Sequence, residues 1–584
     1  MNATASASTG AATPAVTRRT LVAGAAGVAG LASAASLTAA PLSQAVAAES
    51  AAAGSEDVAE DAVCADGTPA SVWGEAPLPV DSFDFAETVE CDLVVVGAGT
   101  AGMPAAVSAA QAGLKVVVLE KQAAGFGMRN YIGAVGTTTQ KDAGVDIDVR
   151  EIVQELLRYS SYRANPSLIR LWAERSGEAI DWYTGLMAEG GMSVWLEEDI
   201  NHDAESQFKE YSTCHLYYNL EDSSLTETSI MAAKMEAVGC DVRYDTPMVQ
   251  LIQEDDGKVT GVVAQDEDGN YLRFNAAKGV ALATGGYAAN ASMMHALNEK
   301  DCLGNVMVYC DPASTGDGVR AAHFAGGQLD LAHTAMYFQR GCTLPGSKGG
   351  DWTTPSLWWM GSQPFLKVNV NGERFGNESL PYDYDLHQAA GQPNHVFVQV
   401  FDANWQDDVM AFHTIGCSRI IPAAQIAQGY EGVKWTFEQV MAASFQPSLE
   451  GGQLVQADTI EELAEKMGMD PAVLSATVER YNELCAAGED VDFYKESYRM
   501  RPVAEPPFYA VTVGGQLLCT MDGMQIDTEF RVLDEAGHPI EGLYAIGNDS
   551  GCYFADCYPE FIVGAAAGRS VTFGYLLGQN LASK

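Results

Sequence analysis

Hydrophobic and polar positions change period sharply along this chain, and the clearest change lies between residues 91 and 121. Four consecutive apolar residues, Leu93 to Val96, run into glycines at 97, 99 and 102. An Ala-rich stretch from Ala101 to Ala112 follows, then Gly113, then a second apolar run, Val116 to Leu119, which stops at Glu120. Short unbroken apolar runs bounded by glycine predict strands buried on both faces, and the Ala-rich stretch between them predicts a helix. The unit is therefore strand, glycine turn, helix, strand, acid.

Further on, Val242 to Ile252 and Val259 to Gln265 alternate like strands around a turn at Asp255-Asp256-Gly257. Gly279 to Ala283 is another buried strand that ends in Thr284-Gly285-Gly286-Tyr287, and Thr315-Gly316-Asp317-Gly318 opens a helix through Ala325. From residue 346 to 504 the character shifts. Trp352, Trp358 and Trp359 lie in a loop-like stretch, Leu366 to Phe375 reads as a strand and turn, and Ile460 to Met467 and Pro471 to Ala486 read as helices. From 505 onward short strands return at Ile526, Arg531 to Leu533 and Leu543 to Ile546, before a last helix from Gly564 to Leu577. The predicted organisation is a nucleotide-binding unit in two pieces, 91–345 and 505–584, interrupted by a capping unit at 346–504. Residues 48–90 read as an acidic linker.

Composition narrows the function. The 584 residues carry 77 acids against 33 bases, a formal net charge of -44. That balance argues against nucleic-acid binding, which needs Lys and Arg on phosphates. Thr17-Arg18-Arg19-Thr20-Leu21 precedes a weakly apolar Ala, Gly, Val and Leu run to Ala40, then Ala45-Val46-Ala47. Residues 1–47 are thus expected to be a twin-arginine export signal cut near Ala47 or Ala48, placing the mature protein in the periplasm or on the outer face of the cell envelope. Twelve cysteines are present without a CxxC or CxxCH spacing, and nine histidines without an HxxxH or HxH pair, so neither cluster, c-type haem nor metal site has a local signature.

The glycine spacing carries specific chemistry. Gly97 permits the tight turn, Gly99 lets a pyrophosphate approach the backbone, and Gly102 lets the helix pack closely on the sheet. The free N–H groups of the helix start hold phosphate charge, and Glu120 accepts from ribose hydroxyls.

Taken together with Ala283-Thr284-Gly285-Gly286, Thr315-Gly316-Asp317-Gly318, Gly372-Glu373-Arg374-Phe375 with Glu378, and Gly542 to Asn548, the chain resembles the FAD-dependent flavoproteins of the fumarate reductase and 3-ketosteroid dehydrogenase superfamily. The resemblance implies an α/β fold, a Rossmann-like FAD-binding domain interrupted by an α+β capping domain. It implies FAD as cofactor and hydride transfer between flavin N5 and a carbon–carbon bond beside a carbonyl. By position it assigns Gly97, Gly99, Gly102 and Glu120 to pyrophosphate and ribose, with Lys121 and Gly125 continuing along them. It assigns Met248 to adenine, Thr284 and Gly285 to the pyrophosphate, and Asn548 to the ribitol. Gly564 and Ala565 open the helix that faces flavin O2.

The fumarate branch of that superfamily supplies pocket cations at three places where this chain has Cys519, Gln406 and Tyr558. Small dicarboxylates are therefore expected to be poor substrates, because buried carboxylates need partners. Tyr558-Pro559 resembles the ketosteroid branch instead, where the phenol sits on the substrate carbonyl; a structural tyrosine before a helix is the other reading. Tyr337 is a second candidate phenol or a core aromatic, and Glu378 either relays protons or pairs with Arg374. The Trp cluster either lines an apolar mouth or packs an interface.

The expected activity is reduction of the C=C bond of an α,β-unsaturated carbonyl compound (enone, lactone or steroid-like), with electrons from an external donor such as a cytochrome. The alternatives are a ketosteroid-type dehydrogenase running the reaction in reverse, a reductase of small unsaturated carboxylates of fumarate or urocanate type, and a flavin-binding protein without turnover.

Overall fold

The computed structural model describes residues 70–125, 131–198, 207–222, 224–351, 356–422 and 434–583. The twin-arginine segment and Trp352 lie outside the described residues.

The apolar runs at 93–96 and 116–119 pair in parallel, Leu93 opposite Val116 and Val96 opposite Leu119. They sit in the middle of a mixed eight-stranded sheet ordered Arg531–Leu533, Pro539–Ala545, Tyr271–Leu282, Phe85–Val96, Val116–Leu119, Asp241–Arg243. The hairpin Met248–Gln253 and Val259–Gln265 joins it antiparallel through Tyr271–Leu282. Leu93, Val94 and Val95 are fully buried, which is why their run is unbroken: a central parallel strand faces apolar neighbours on both sides.

The helix Gly102–Gln111 covers this sheet and packs against the terminal helix Ala565–Ser583. Small residues allow the approach. A Cβ on Gly574 would lie 2.4 Å from the Ala101 carbonyl oxygen, and one on Gly578 2.5 Å from the Ala109 amide nitrogen. The start of the terminal helix is pinned from below, where the Gly133 N–H donates to the Gly564 carbonyl at 2.9 Å.

A second, seven-stranded sheet runs Ser356–Leu357, Ala335–Thr343, Phe508–Thr520, Leu366–Val368 by way of Phe397–Phe401, with Asn305–Val308 and Leu454–Ala457 also paired to Phe508–Thr520. The helices Ile460–Met467 and Pro471–Ala487 pack on it around Leu463, Leu474 and Val478. Their ends follow the sequence closely. Thr459 accepts from the Glu462 amide, Pro471 occupies the first turn, and Gly468 and Gly488 close each helix with positive φ.

Two expectations change. The second sheet extends past both predicted boundaries, 346 and 504. It takes strands from 305–343 before them and its central strand, Phe508–Thr520, after them, because that strand pairs with Asn305–Val308 and Ala335–Thr343 as well as with Phe397–Phe401 and Leu454–Ala457. The linker expected over 48–90 is structured where it is described. Trp73 is buried with its ring stacked 3.9 Å from that of His323, Arg320 donates to the Trp73 carbonyl at 2.7 Å, and the central strand begins at Phe85. Among the described residues no helix is long and apolar enough to cross a membrane.

Candidate active site

A cavity of about 720 Å³ begins at the carboxyl ends of the central strands of the first sheet and ends against the second sheet. Gly97, Ala98 and Gly99 form one wall. Gly97 has φ +105° and its N–H donates to the Leu119 carbonyl at 2.7 Å, while a Cβ there would lie 2.3 Å from the Ala283 oxygen. Gly102 is off the wall; a Cβ on it would come within 1.9 Å of the Gly97 oxygen, so its part is close packing of helix on turn. Gly99 is the opposite case. A Cβ there meets nothing within 4 Å, leaving open space where the backbone faces the cavity.

Glu120 is 6% exposed and lines the cavity. Its carboxylate accepts from the Ala98 amide at 2.8 Å and the Gln122 amide at 2.9 Å, and burial pushes its pKa above the usual carboxylate value. Lys121 is also on the wall, with its ammonium on Thr315 Oγ1 and Asp317 Oδ2, both at 2.7 Å, tying the strand end to the Thr-Gly-Asp-Gly turn. Met248, Thr284, Gly285, Asn548 and Gly564 all line the cavity. Gly125 and Ala565 do not. Gly125 is held close, a Cβ there reaching 2.2 Å from Met103 Cε, and Ala565 is buried behind Ala566 and Ala567, which are on the wall.

Sequence reasoning missed Asp549. Its fully buried carboxylate accepts from the Thr284 amide at 2.5 Å, the Thr284 hydroxyl at 2.9 Å and the Gly286 amide at 3.0 Å, so it holds the Thr284–Gly286 turn open. Burial raises its pKa to about 6. The available signal was an acid directly after Asn548 in an apolar strand end.

The groups described here fit FAD: a bare backbone at Gly99, a carboxylate on the wall at Glu120, and Gly564, Ala566 and Ala567 on the wall at the start of a long helix.

At the far end the walls are Tyr131, Met336, Phe338, Arg340, Trp359 and Tyr382, with Cys417, Lys434, Trp435, Cys519, Tyr558 and Glu560. Tyr558 is 7% exposed; burial pushes its phenol well above the ordinary value, so it stays protonated and can donate. Its backbone N–H is anchored on the Asp383 carboxylate. Glu560 accepts from the Tyr382 amide at 2.8 Å, and its other oxygen lies 3.4 Å from the Ser418 hydroxyl, which in turn is 2.9 Å from the Tyr382 hydroxyl.

Two of the residues expected to be catalytic lie elsewhere. Tyr337 is in the strand Ala335–Thr343, whose even-numbered residues Met336, Phe338 and Arg340 line the cavity. Strand side chains alternate faces, so Tyr337 is turned to the other side, towards Cys302. Glu378 is buried off the wall in an ion cluster. It meets Arg374 at 2.7 Å and Lys495 at 3.5 Å, and Arg374 also meets Asp490 at 2.6 Å. Burial works against its charge, but Lys495 and Arg374 outweigh it and hold Glu378 below the ordinary carboxylate range, where it carries no proton near neutrality. Of the tryptophans, Trp359 lines the cavity, while Trp358 is core, its indole N–H donating to Gln399 at 2.8 Å.

Of the three places where the fumarate branch carries cations, Cys519 and Tyr558 line the cavity and Gln406 lies on a separate surface depression, but two cations at other positions, Arg340 and Lys434, are on the wall. Lys434 is neutralised by Glu197 at 2.9 Å. Arg340 shares strand parity with Met336 and Phe338, a signal that was readable once the strand's inward face was known.

Three buried carboxylates give this protein an unusual pH dependence. Burial raises Glu227 and Glu560 to about 7 and Asp549 to about 6. The folded protein then binds more protons than the unfolded chain between the ordinary carboxylate range and those values, so stability falls as pH rises through that window. The urea midpoint of the cofactor-free chain is expected to be higher at pH 5.5 than at pH 7.5. A midpoint that rises from pH 5.5 to 7.5 would contradict these environments.

A family model described as FAD binding domain matches residues 92–559. The chain is 30% identical over 505 residues to a vinyl phenol reductase of Lactiplantibacillus plantarum, covering 84% of this chain and 96% of that one. Among solved structures it is similar to the open conformation of a flavocytochrome c3 fumarate reductase, at TM-score 0.62 and 24% identity, covering 88% of this chain and 82% of that one. It is likewise similar to a 3-ketosteroid delta1-dehydrogenase from Sterolibacterium denitrificans, at TM-score 0.64 and 21% identity, covering 85% and 99%.

Proposed function

This chain belongs to the FAD binding domain family and is an FAD-dependent oxidoreductase, and on that premise we propose that it reduces the C=C bond of an α,β-unsaturated carbonyl compound. Bound FAD supplies hydride chemistry at its isoalloxazine ring. The rest is the work of this chain. The turn from Gly97 to Gly102 and Glu120 hold the dinucleotide, Thr284, Gly285 and Met248 flank it, and Asn548 and the helix start at Gly564 receive the flavin end. Tyr558 donates a hydrogen bond to the acceptor's carbonyl oxygen, which gains negative charge as hydride arrives at the β carbon. The apolar wall around Phe338, Trp359 and Trp435 excludes water from that oxygen.

One observation carries this reading: a buried, protonated phenol shares one continuous cavity with the glycine turn. The Arg18-Arg19 motif supports export by the twin-arginine route, to the periplasm or outer face of the envelope. Export removes the protein from cytoplasmic NAD(P)H, so the donor is an external electron carrier such as a cytochrome; likeness to a flavocytochrome fumarate reductase supports that choice. Tyr558-Pro559 suits the reverse reaction as well, and export favours reduction.

The test is anaerobic reoxidation of the reduced holoprotein by a panel of benzylideneacetone, a steroid enone, urocanate and fumarate. An enone is expected to restore the oxidised flavin absorbance faster than fumarate. Saturable turnover with fumarate as the fastest acceptor would replace this reading with that of a small-carboxylate reductase.

A further inference from the structure

Among the described residues, buried cations have carboxylate partners almost without exception. Lys367 meets Asp385 at 2.6 Å, Arg374 meets Glu378 at 2.7 Å, Lys434 meets Glu197 at 2.9 Å, and Arg499 meets Glu210 at 3.2 Å. Arg569 has none, but it is off the cavity wall and its guanidinium donates to the Gly547 and Ser550 carbonyls at 2.7 and 3.1 Å.

Arg340 breaks the pattern on the wall itself. It is 2% exposed and its Nη2 donates to the Cys417 carbonyl at 2.8 Å and, at 3.5 Å, to the Ser418 hydroxyl. Its Nε is sealed off with no hydrogen-bond partner, its Nη1 donates to no group among the described residues, and no carboxylate among them lies within ion-pairing distance. Its guanidinium centre lies 4.2 Å from the Trp359 ring and 4.8 Å from the Phe338 ring, which fix its plane. Trp359 is itself stacked on Trp435 at 4.1 Å. The acid on the same wall is Glu560, whose burial raises it to about 7, so at neutral pH it compensates Arg340 only in part.

A permanently charged donor held rigid in an aromatic wall, with one edge unsatisfied, is an arrangement that an incoming anion completes. Building on the reductase reading above, we propose that Arg340 is the specificity-determining residue of this cavity, its free edge receiving an anionic oxygen carried by a planar conjugated acceptor. A single unpaired cation suits one such oxygen, a carboxylate or a phenolate, and leaves the second carboxylate of a dicarboxylate without a partner.

The experiment uses the FAD-loaded enzyme and two matched pairs: cinnamate against methyl cinnamate, and 4-hydroxybenzylideneacetone against its 4-methoxy ether. Wild type is expected to favour the anionic or acidic member of at least one pair in kcat/KM, and which pair it is identifies carboxylate or phenolate as the source. Arg340→Met is expected to lower that preference ratio roughly tenfold or more, the scale of one charge-assisted hydrogen bond, and Arg340→Lys to restore part of it. Binding is read separately from the change in flavin absorbance on titration with saturated 3-phenylpropionate and its methyl ester. Wild-type preference for the neutral members of both pairs, or an unchanged ratio in a yellow Arg340→Met protein, would overturn the assignment. Should Arg340→Met lose its flavin, the wild-type ratios and Arg340→Lys decide. Should no acceptor of either pair turn over, the wider acceptor panel decides the reductase reading, while the 3-phenylpropionate titration still decides whether Arg340 receives a carboxylate, and equal affinity for acid and ester in wild type would overturn the assignment.

Discussion

Replacing Gly99 by valine is expected to give a folded, colourless protein. Gly99 has no positive φ, and a Cβ there meets nothing within 4 Å, so neither the backbone nor the first side-chain carbon opposes the substitution in the folded chain. That side chain projects into the cavity where the backbone must approach a pyrophosphate. Displacing the phosphates by the width of a methyl group removes at least two hydrogen bonds to charged oxygens. At about 1.5–3 kcal/mol each, their loss weakens FAD binding by roughly a hundredfold or more. The measurement is flavin absorbance per chain after dialysis, with near-ultraviolet circular dichroism to show that the fold persists. Wild type should retain FAD at a stoichiometry near equimolar. A variant as yellow as wild type would mean that the phosphates do not pass Gly99. Gly102→Ala is a useful contrast: its Cβ falls 1.9 Å from the Gly97 oxygen, so it should damage the turn itself and lower the melting temperature of the apoprotein.

Tyr558→Phe should reduce turnover of the true acceptor by on the order of a hundredfold while FAD stays bound. One well-placed donor on an oxygen that gains charge is worth roughly 3 kcal/mol. The phenyl ring keeps its packing against Phe554, whose ring centre lies 5.9 Å away, and the backbone N–H keeps its bond to Asp383. Stability should therefore fall by only about 1 kcal/mol. Single-turnover reoxidation of the reduced flavin separates the effect on chemistry from binding. Wild-type rates in the variant would move the carbonyl-binding role to another hydroxyl on this wall, Tyr382 or Tyr131, and not to Tyr337, which is turned away from the cavity.

The nucleotide half of the site was legible because its requirements are local. A strand that must be buried on both faces shows as an unbroken apolar run, a turn that needs positive φ shows as Gly97, and a helix that must approach its neighbour shows as Gly102. All lie within thirty residues, where chain connectivity alone brings them together. The same holds for the helices Ile460–Met467 and Pro471–Ala487, whose caps and closing glycines are neighbours in sequence.

The substrate half was not legible in this way, because each residue there takes its role from partners far along the chain. Whether Tyr337 or Arg340 faces the cavity depends on which side of the strand Ala335–Thr343 the first sheet closes over, and alternation alone leaves both faces available. Glu378 is held as an anion by Lys495, and by Arg374, which Asp490 also holds. Asp549 is a structural acceptor only because the turn at Thr284 folds back onto it. The boundary of the second sheet moved because Phe508–Thr520 pairs with strands from four other parts of the chain. Sequence by itself determined the cofactor-binding turn, since hydrogen bonding and periodicity act over a few residues, and the reaction class followed from the family resemblance that its motifs carry. Tertiary structure alone decided which charges meet a partner when buried and which, like Arg340, are left for a ligand, since the free energy of a buried charge is set by the groups that surround it in space.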